Sequence, residues 1–187
     1  MPILEREVDL FPNDLLERHE CYSADEENWW VLYTRSRREK SLMRKLHARN
    51  IPFYGPVIPK RYRSNSGRVR TSYIPLFPNY VFVLGDVSTR REILTTNCIS
   101  RCFEVSDSET FINDLKSIRR LVNSGIPLTI ESQLASGNRV CVKSGPLKGQ
   151  DGVILERRGE RRLLVSVNII QQGASLLLED FEVERIS

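Results

Sequence analysis

The sequence predicts an α+β protein in which an N-terminal α/β sandwich with an antiparallel sheet precedes a small C-terminal β-barrel. Three observations lead to this prediction. Apolar, strand-like runs alternate with amphipathic helical stretches over residues 28–124. Residues 125–133 hold glycine and proline and few packing residues, which is typical of a linker. Residues 134–187 consist of short β-branched runs separated by glycines.

The first segment, residues 1–27, is acidic. It carries nine acidic and two basic residues, a net charge of −7. Because the whole chain has a net charge of +4, the remaining residues together carry +11. We expect a disordered extension, with a short helix over residues 14–19 as the one element that its pattern would allow. A basic body favours a polyanionic partner, although many basic faces are simply solvated. The acidic leader could fold over that face and weaken contact with DNA until it is displaced.

The body begins with a predicted strand and helix. Residues 29–34 are aromatic and β-branched, which indicates a central strand. Ser36 is expected to cap the following helix, with Glu39 as its capping-box partner. Leu42, Met43 and Leu46 form the apolar stripe of this helix, which ends at Asn50. Its other face is basic and contains Arg37, Arg38, Lys40, Arg44, Lys45 and Arg49.

A second group of elements completes the predicted sandwich. Residues 53–60 form an interrupted strand, and residues 61–73 return as a β-hairpin with a basic tip around the turn at 64–67. A proline-containing bend at 76–80 leads into a strand at 81–84. A short helix over 88–95, with Ile93 and Leu94 inward, and a strand over 99–105 follow. A helix over 110–123, capped by Ser108 and stopped by Gly125, buries Phe111, Leu115, Ile118 and Val122.

The C-terminal part has five predicted strands, at 139–142, 153–156, 163–167, 174–178 and 181–186. Five short strands in about 50 residues favour a small SH3-like barrel. Between the first two strands the chain reads SGPLKGQDG, a reversal that needs glycine torsions at two places, Gly145 and Gly149. Gly152 would let the next strand approach its neighbour closely. None of these residues is a nucleophile, base or metal ligand.

The residue inventory excludes several classes of protein. The chain has no glycine-rich phosphate loop, HExxH or GxSxG motif and only two histidines, so we expect no enzyme and no cofactor. The four cysteines form no CxxC pair, which favours free thiols over a zinc site. No apolar run approaches a membrane span and the N-terminus lacks signal-peptide features, so we expect a cytoplasmic protein with no membrane contact.

Two sets of residues resemble the NusG family of transcription elongation factors. The run from 137 to 154, GNRVCVKSGPLKGQDGVI, resembles the KOW motif, with Gly145, Pro146, Gly149 and Gly152 at its loop. The pattern WWxxYT at 29–34, the segment REK at 38–40 and LFPNYVFV at 76–83 resemble the NusG N-terminal domain. Tyr33-Thr34 and the REK segment at 38–40 are more similar to the operon-specific RfaH-like antiterminators than to the general factor. The resemblance covers about 160 residues and leaves the acidic leader outside.

This resemblance implies binding to RNA polymerase, at the clamp helices of the largest subunit. The positions that would make the contact are Tyr33, Leu76, Phe77, Pro78, Tyr80 and Phe82. Aromatic anchors of this kind dominate many interfaces. The same residues could instead be ordinary sandwich core, and we expect Phe82 to be partly core and Phe77 and Tyr80 to be mainly interface.

The resemblance also implies a basic surface near the non-template DNA strand. The candidate residues are Arg35, Arg37, Arg38, Arg61, Arg63, Arg68 and Arg70, which could equally form a solvated face. Through Ile169 and Ile170 the KOW domain would contact a small-subunit ribosomal protein or Rho. The general factor of the family carries an aromatic residue in this loop where this chain has Ile170, so this contact could be weakened or re-targeted. The His-Thr-Thr run of some antiterminators is replaced by residues 91–93, Arg-Glu-Ile, which puts that bridge across the polymerase cleft in doubt.

The predicted function is therefore a monomeric factor that modulates pausing and termination and favours antitermination. The alternative is an RNA- or ribosome-binding KOW protein with no polymerase role, which would prefer free structured RNA to polymerase.

Overall fold

The computed structural model describes residues 6–17, 27–63, 67–132, 137–157, 159–178 and 183–186. Contacts between residues divide the chain into two units, Met1–Ser108 and Glu109–Ser187. Within the described residues, no helix has the length and apolarity to cross a membrane. The helices and antiparallel strands of both units confirm the predicted α+β class. The predicted domains, 28–124 and 134–187, remain a prediction.

The first unit is built on an antiparallel five-stranded sheet. Its elements are β1 (Leu10–Phe11), β2 (Asn28–Thr34), α1 (Glu39–Ala48), β3 (Phe53–Tyr54), β4 (Val57–Arg63), β5 (Val69–Pro75), β6 (Tyr80–Gly85), α2 (Val87–Leu94) and β7 (Ile99–Glu104). The sheet order is β1-β3-β6-β2-β7, so β2 is an interior strand paired on both sides, as its continuous apolar run predicts, and β6 occupies the middle of the sheet. Strands β4 and β5 pair separately as a two-stranded hairpin.

One core cluster of the first unit lies against one face of this sheet. The α1 stripe of Leu42, Met43 and Leu46 is fully buried, as predicted, and packs in one cluster with Trp30 and Leu32 of β2. Ile93 of α2 joins the same cluster. The two faces of β2 differ: Trp30 and Leu32 point to this core, and the alternate residues of the strand point to the other face.

One prediction about a helix end, the Ser36 cap, and one about a helix face, the inward position of Leu94, are wrong. Ser36 does not cap α1; the helix begins after Arg38, whose side chain makes no capping hydrogen bond, and Glu39 accepts a hydrogen bond from Asn79 instead of from Ser36. In α2 the cap is Asp86, whose carboxylate accepts a hydrogen bond from the Thr89 N–H at 2.7 Å. The hydrogen bond with the Thr89 side chain, and secondarily this backbone hydrogen bond, lower the pKa of Asp86. Leu94 is 45% exposed, because Ile93 alone occupies the inward side of this short helix.

The acidic leader is ordered over the part that the structure describes. Residues 6–17, predicted to be disordered, add β1 to the sheet edge beside β3 and bury Leu10, Leu15 and Leu16. Residues 13–17 form turns, and residues 18 and 19 of the proposed helix lie outside the described residues. The Glu7 carboxylate pairs with Arg44 on the basic side of α1 at 2.7 Å. Apolar burial therefore outweighs the high charge of this segment.

This arrangement predicts that Leu16→Ala destabilises the first unit. Leu16 is fully buried, and removal of a buried leucine side chain typically lowers the free energy of unfolding by about 2–5 kcal/mol. Thermal and urea unfolding of the full chain measure the loss. Val8→Ala is the matched control in the same segment, since Val8 is 44% exposed. Equal stability of the Leu16→Ala variant and the parent chain would restore the interpretation of a disordered leader.

The second unit combines one helix with a six-stranded antiparallel sheet. Its elements are α3 (Ser108–Asn123), β8 (Thr129–Glu131), β9 (Asn138–Val142), β10 (Asp151–Arg157), β11 (Glu160–Val167), β12 (Gln172–Leu177) and β13 (Val183–Arg185). The sheet order is β13-β9-β10-β11-β12-β8. Strands β9 to β13 lie at the five predicted positions, although residues 181 and 182 are outside the described residues. Closure into an SH3-like barrel stays a prediction.

Strand β8 lies inside the segment 125–133 that was interpreted as a linker. It pairs with β12, and side chains reinforce the pairing. Buried Ser175 donates a hydrogen bond to buried Glu131 at 2.6 Å, and the Arg162 guanidinium donates to the Thr129 hydroxyl at 2.7 Å. A polar segment thus enters a sheet because its polar side chains find partners there.

Helix α3 has the apolar stripe that its sequence predicts. Phe111, Leu115 and Ile118 are buried, whereas Val122 is only half-buried. The helix ends at Asn123, and Gly125 follows with a φ of +73°, a left-handed conformation that suits glycine at this position.

Candidate functional site

The most distinctive surface feature of the first unit is a pair of tyrosines at the end of the sheet. Tyr33 of β2 and Tyr80 of β6 are paired across the strands, on the face opposite the α1 core. Their rings meet edge to face with centroids 5.2 Å apart, and both side chains are half-buried. Burial, and secondarily the proximity of Tyr33, raises the pKa of Tyr80, so its phenol stays neutral at physiological pH. We call these two residues the tyrosine pair.

A tight turn holds Tyr80 in place. The Tyr80 N–H donates to the Phe77 carbonyl at 3.1 Å, and Asn79 has a φ of +68°. Asn79 is bonded from both sides: its carbonyl accepts from the Thr34 N–H at 2.7 Å, and its N–H donates to the Glu39 carboxylate at 2.8 Å. Glu39, interpreted from the sequence as a helix-capping residue, therefore ties the start of α1 to this turn.

The predicted polymerase contacts divide into surface and core. Leu76, Phe77 and Phe82 are buried, with at most 1% of each exposed, and the Phe77 and Phe82 rings pack 6.2 Å apart. The expectation that Phe77 is mainly interface is corrected by this burial, and Phe82 is entirely rather than partly core. Tyr33 and Tyr80 are half-buried and Pro78 is exposed. The accessible part of the predicted set is thus the tyrosine pair with Pro78.

Two residues that the sequence did not single out extend this surface. Strand β7 pairs with the other side of β2, which places Arg101 beside Tyr33 and Phe103 beside Val31. Arg101 is exposed, and Phe103 is 47% exposed, which is unusual for a phenylalanine in a sheet. The sequence offered only a phenylalanine within the predicted strand 99–105. The strand pairing shows that Phe103 shares a face with the tyrosine pair.

The predicted basic residues form two separate sets. Arg35, Arg37 and Arg38 lie exposed in the turn between β2 and α1, where Arg37 has a φ of +59°. The Arg35 N–H donates to the Cys98 carbonyl at 2.8 Å, which fixes the start of this turn. The turn begins two residues after Tyr33, so these arginines lie at the same end of β2 as the tyrosine pair.

The second basic set lies on the β4–β5 hairpin. Arg61 and Arg63 belong to β4, Arg70 belongs to β5, and Arg68 directly precedes β5. All four are exposed. The predicted turn includes residues 64–66, which lie outside the described residues, and Gly67, whose φ is +76°.

The KOW-like loop has the geometry that its glycines predict. Gly145 and Gly149 have φ values of +79° and +80°, and the Gly149 N–H donates back to the Val142 carbonyl at 2.8 Å. At Gly152, a Cβ atom would lie 2.7 Å from both the Leu164 carbonyl oxygen and the Leu163 Cδ1. Gly152 therefore permits a close approach of β10 to β11. Pro146 completes the reversal, which contains no catalytic group.

The predicted second-partner contact is split between exposed and buried residues. Residues Asn168–Ile170 form a 3₁₀ turn in which Ile169 is 43% exposed and Ile170 is 8% exposed. Ile169, rather than Ile170, is therefore available to a partner. The Asp114 carboxylate of α3 accepts hydrogen bonds from the Asn168 backbone N–H at 2.9 Å and from its side-chain amide at 3.3 Å.

Comparison with known protein families identifies one match. The model of the family described as transcription termination factor NusG matches residues 27–136, more than half of the chain. The matched range includes the tyrosine pair, the basic turn and the hairpin, and it ends before the KOW-like loop. Comparison with curated proteins finds no match. The chain therefore belongs to the NusG family, whose members are factors of transcription elongation and termination.

Proposed function

We propose that this chain binds RNA polymerase through the tyrosine pair and modulates pausing and termination of transcription. The observation that carries the proposal is the aromatic contact of Tyr33 and Tyr80 at the accessible end of a rigid sheet. Tyrosines give a large contact area while losing few rotamers, and their hydroxyls can bond to a partner. By family resemblance, the partner surface is the clamp-helix region of the largest polymerase subunit.

The buried residues beneath the pair support this proposal. Phe77 and Phe82 pack against each other, and the Asn79 hydrogen bonds to Thr34 and Glu39 hold the turn above them. A surface that is already ordered loses little conformational entropy on binding, which favours affinity. Leu76, Phe77 and Phe82 would thus shape the binding surface without contacting the partner.

The proposed mechanism is differential binding. A ligand shifts an equilibrium only by the difference in its affinity for the two states. If this chain binds the closed, active clamp more tightly than the open, paused one, it raises processivity and reduces termination. Antitermination of selected operons, as in the RfaH-like members of the family, is the outcome that we propose.

The basic residues would add a contact with DNA. Arg35, Arg37 and Arg38 in the turn, together with the hairpin arginines, supply positive charge for the non-template strand. Such contacts are independent of sequence and weaken with salt, because they release counterions from phosphates.

The second unit would recruit another partner. Ile169 is the exposed apolar residue of the 3₁₀ turn, and a small-subunit ribosomal protein or Rho is the partner that the resemblance implies. Covalent linkage to a polymerase-bound first unit would raise the effective concentration of this second site.

Two experiments test the proposal. The purified chain should co-migrate with core RNA polymerase at physiological salt, and it should shorten pausing and increase read-through in transcription past a pause and a terminator. An unrelated basic protein of similar size controls for charge. Preferential binding to free structured RNA, with no binding to polymerase, would instead support the ribosome- or RNA-binding alternative.

A further inference from the structure

The β4–β5 hairpin carries an exposed aromatic residue, Tyr62, in addition to its arginines. Tyr62 lies in the middle of β4 and is 47% exposed. Its cross-strand partner on β5 is Arg70, which is also exposed. Directly opposed residues on paired strands place their side chains on one face, about 4.5–5.5 Å apart at Cβ. Tyr62 therefore shares one face of the hairpin with the Arg70 side chain.

The surroundings of Tyr62 are strongly basic. Residues 57–75 contain five basic and no acidic residues. The strand register places Lys60 on the same face as Tyr62 and Arg70, whereas Arg61 and Arg63 point to the other face. Both faces of the hairpin thus carry positive charge, and the Tyr62 ring lies on the face that holds Lys60 and Arg70. Such a surface is complementary to a single-stranded nucleic acid, which offers both a phosphate backbone and unpaired bases that are free to stack.

We propose that Tyr62 stacks on an unpaired base of a single DNA strand, while Arg70 and Lys60 hold the adjacent phosphates. Aromatic residues within basic grooves bind single strands in this way, because every base has a π face. A base within a duplex is already stacked and paired, so the proposal requires a single strand. This inference rests on the proposed function, in which the non-template strand lies near the hairpin.

Substitutions on the hairpin separate stacking from charge. With a fluorescein-labelled oligothymidylate, Tyr62→Ala in the full chain should weaken binding about ten-fold and Tyr62→Phe should leave it nearly unchanged, because the ring is kept. Arg70→Ala should lower the slope of log affinity against log salt by about 0.7, the value for one phosphate contact on a single strand. Tyr62→Ala should leave that slope unchanged. Val69→Ala is the matched control, since Val69 is 63% exposed on the opposite face.

A spectroscopic readout reports the stacking directly. An oligothymidylate with one 2-aminopurine should lose fluorescence on binding to the parent chain and should keep it with saturating Tyr62→Ala. Equal affinity of the Tyr62→Ala variant and the parent chain would overturn the proposal, even if the arginine variants weaken binding as expected. A Tyr62→Phe variant as weak as Tyr62→Ala would also overturn it, because the hydroxyl would then make the contact. Tighter binding to duplex DNA or to RNA of the same sequence would rule out the proposed partner.

These outcomes are distinct from those that test polymerase binding. Polymerase binding is measured without added oligonucleotide, and oligonucleotide binding is measured without polymerase. A failure to bind polymerase would therefore leave the comparison of the hairpin variants unaffected. Conversely, a chain that binds polymerase but shows no single-strand binding at low salt would retain the proposed polymerase contact and contradict the role of Tyr62.

Discussion

Replacing Tyr33 and Tyr80 together by alanine is expected to weaken binding to RNA polymerase on the order of a hundred-fold. Central aromatic anchors commonly contribute about 2 kcal/mol or more each, and two residues in contact are not strictly additive. The ring centroids of this pair are 5.2 Å apart, so each ring also restricts the conformations of the other. Equilibrium binding of the labelled chain to core polymerase measures the change.

Three controls make this result specific. Replacement of both tyrosines by phenylalanine keeps the ring contact and should retain most of the affinity. Leu94→Ala removes an exposed apolar side chain elsewhere on the first unit and should have no effect, since Leu94 is 45% exposed on α2. Thermal unfolding shows whether the double-alanine variant remains folded. Full affinity in a folded double-alanine variant would refute the proposed docking surface.

The second large effect is expected in the second unit, where Gly152→Ala should destabilise the sheet by about 1–3 kcal/mol. The added Cβ would lie 2.7 Å from the Leu164 carbonyl oxygen, so β10 and β11 would have to separate. Backbone atoms cannot move aside as easily as the end of a flexible side chain. Hydrogen exchange of the amides in β9 to β11 would localise the loss to this sheet.

Gly149 offers a matched comparison on the same loop. It has a φ of +80° but open space around its Cα, so substitution there strains the backbone without a clash. Gly149→Asn should be milder than Gly152→Ala, because asparagine tolerates the left-handed region. If the two variants show the reverse order, the close approach at Gly152 is not what makes glycine necessary there.

The sequence was informative wherever one local pattern dominates. The α1 stripe of Leu42, Met43 and Leu46 and the glycine torsions of the 145–149 loop follow from local periodicity and turn chemistry, and the structure confirms them. The interior position of β2, with a neighbouring strand on each side, likewise follows from its unbroken apolar run. These features depend on residues close together in the chain.

The errors occur where distant residues compete. Glu39 was interpreted as a capping-box partner of Ser36, but its carboxylate bonds to the N–H of Asn79, forty positions along the chain. The leader was expected to be disordered because of its charge, yet Leu15 and Leu16 are buried. Phe77 was expected at the surface, although the turn at Asn79 directs it inward. No local pattern carries this information.

The sequence alone thus determined the element types, the α+β class and the NusG-family pattern, because these depend on spacing between near neighbours. Only the tertiary structure decided which aromatic residues remain accessible. The pairing of β2 with β6 and β7 places Tyr33, Tyr80, Arg101 and Phe103 on one face and leaves Phe82 buried within that face. Accessibility is set by what packs over a side chain, and in a sheet that is determined by the register of strands far apart in sequence.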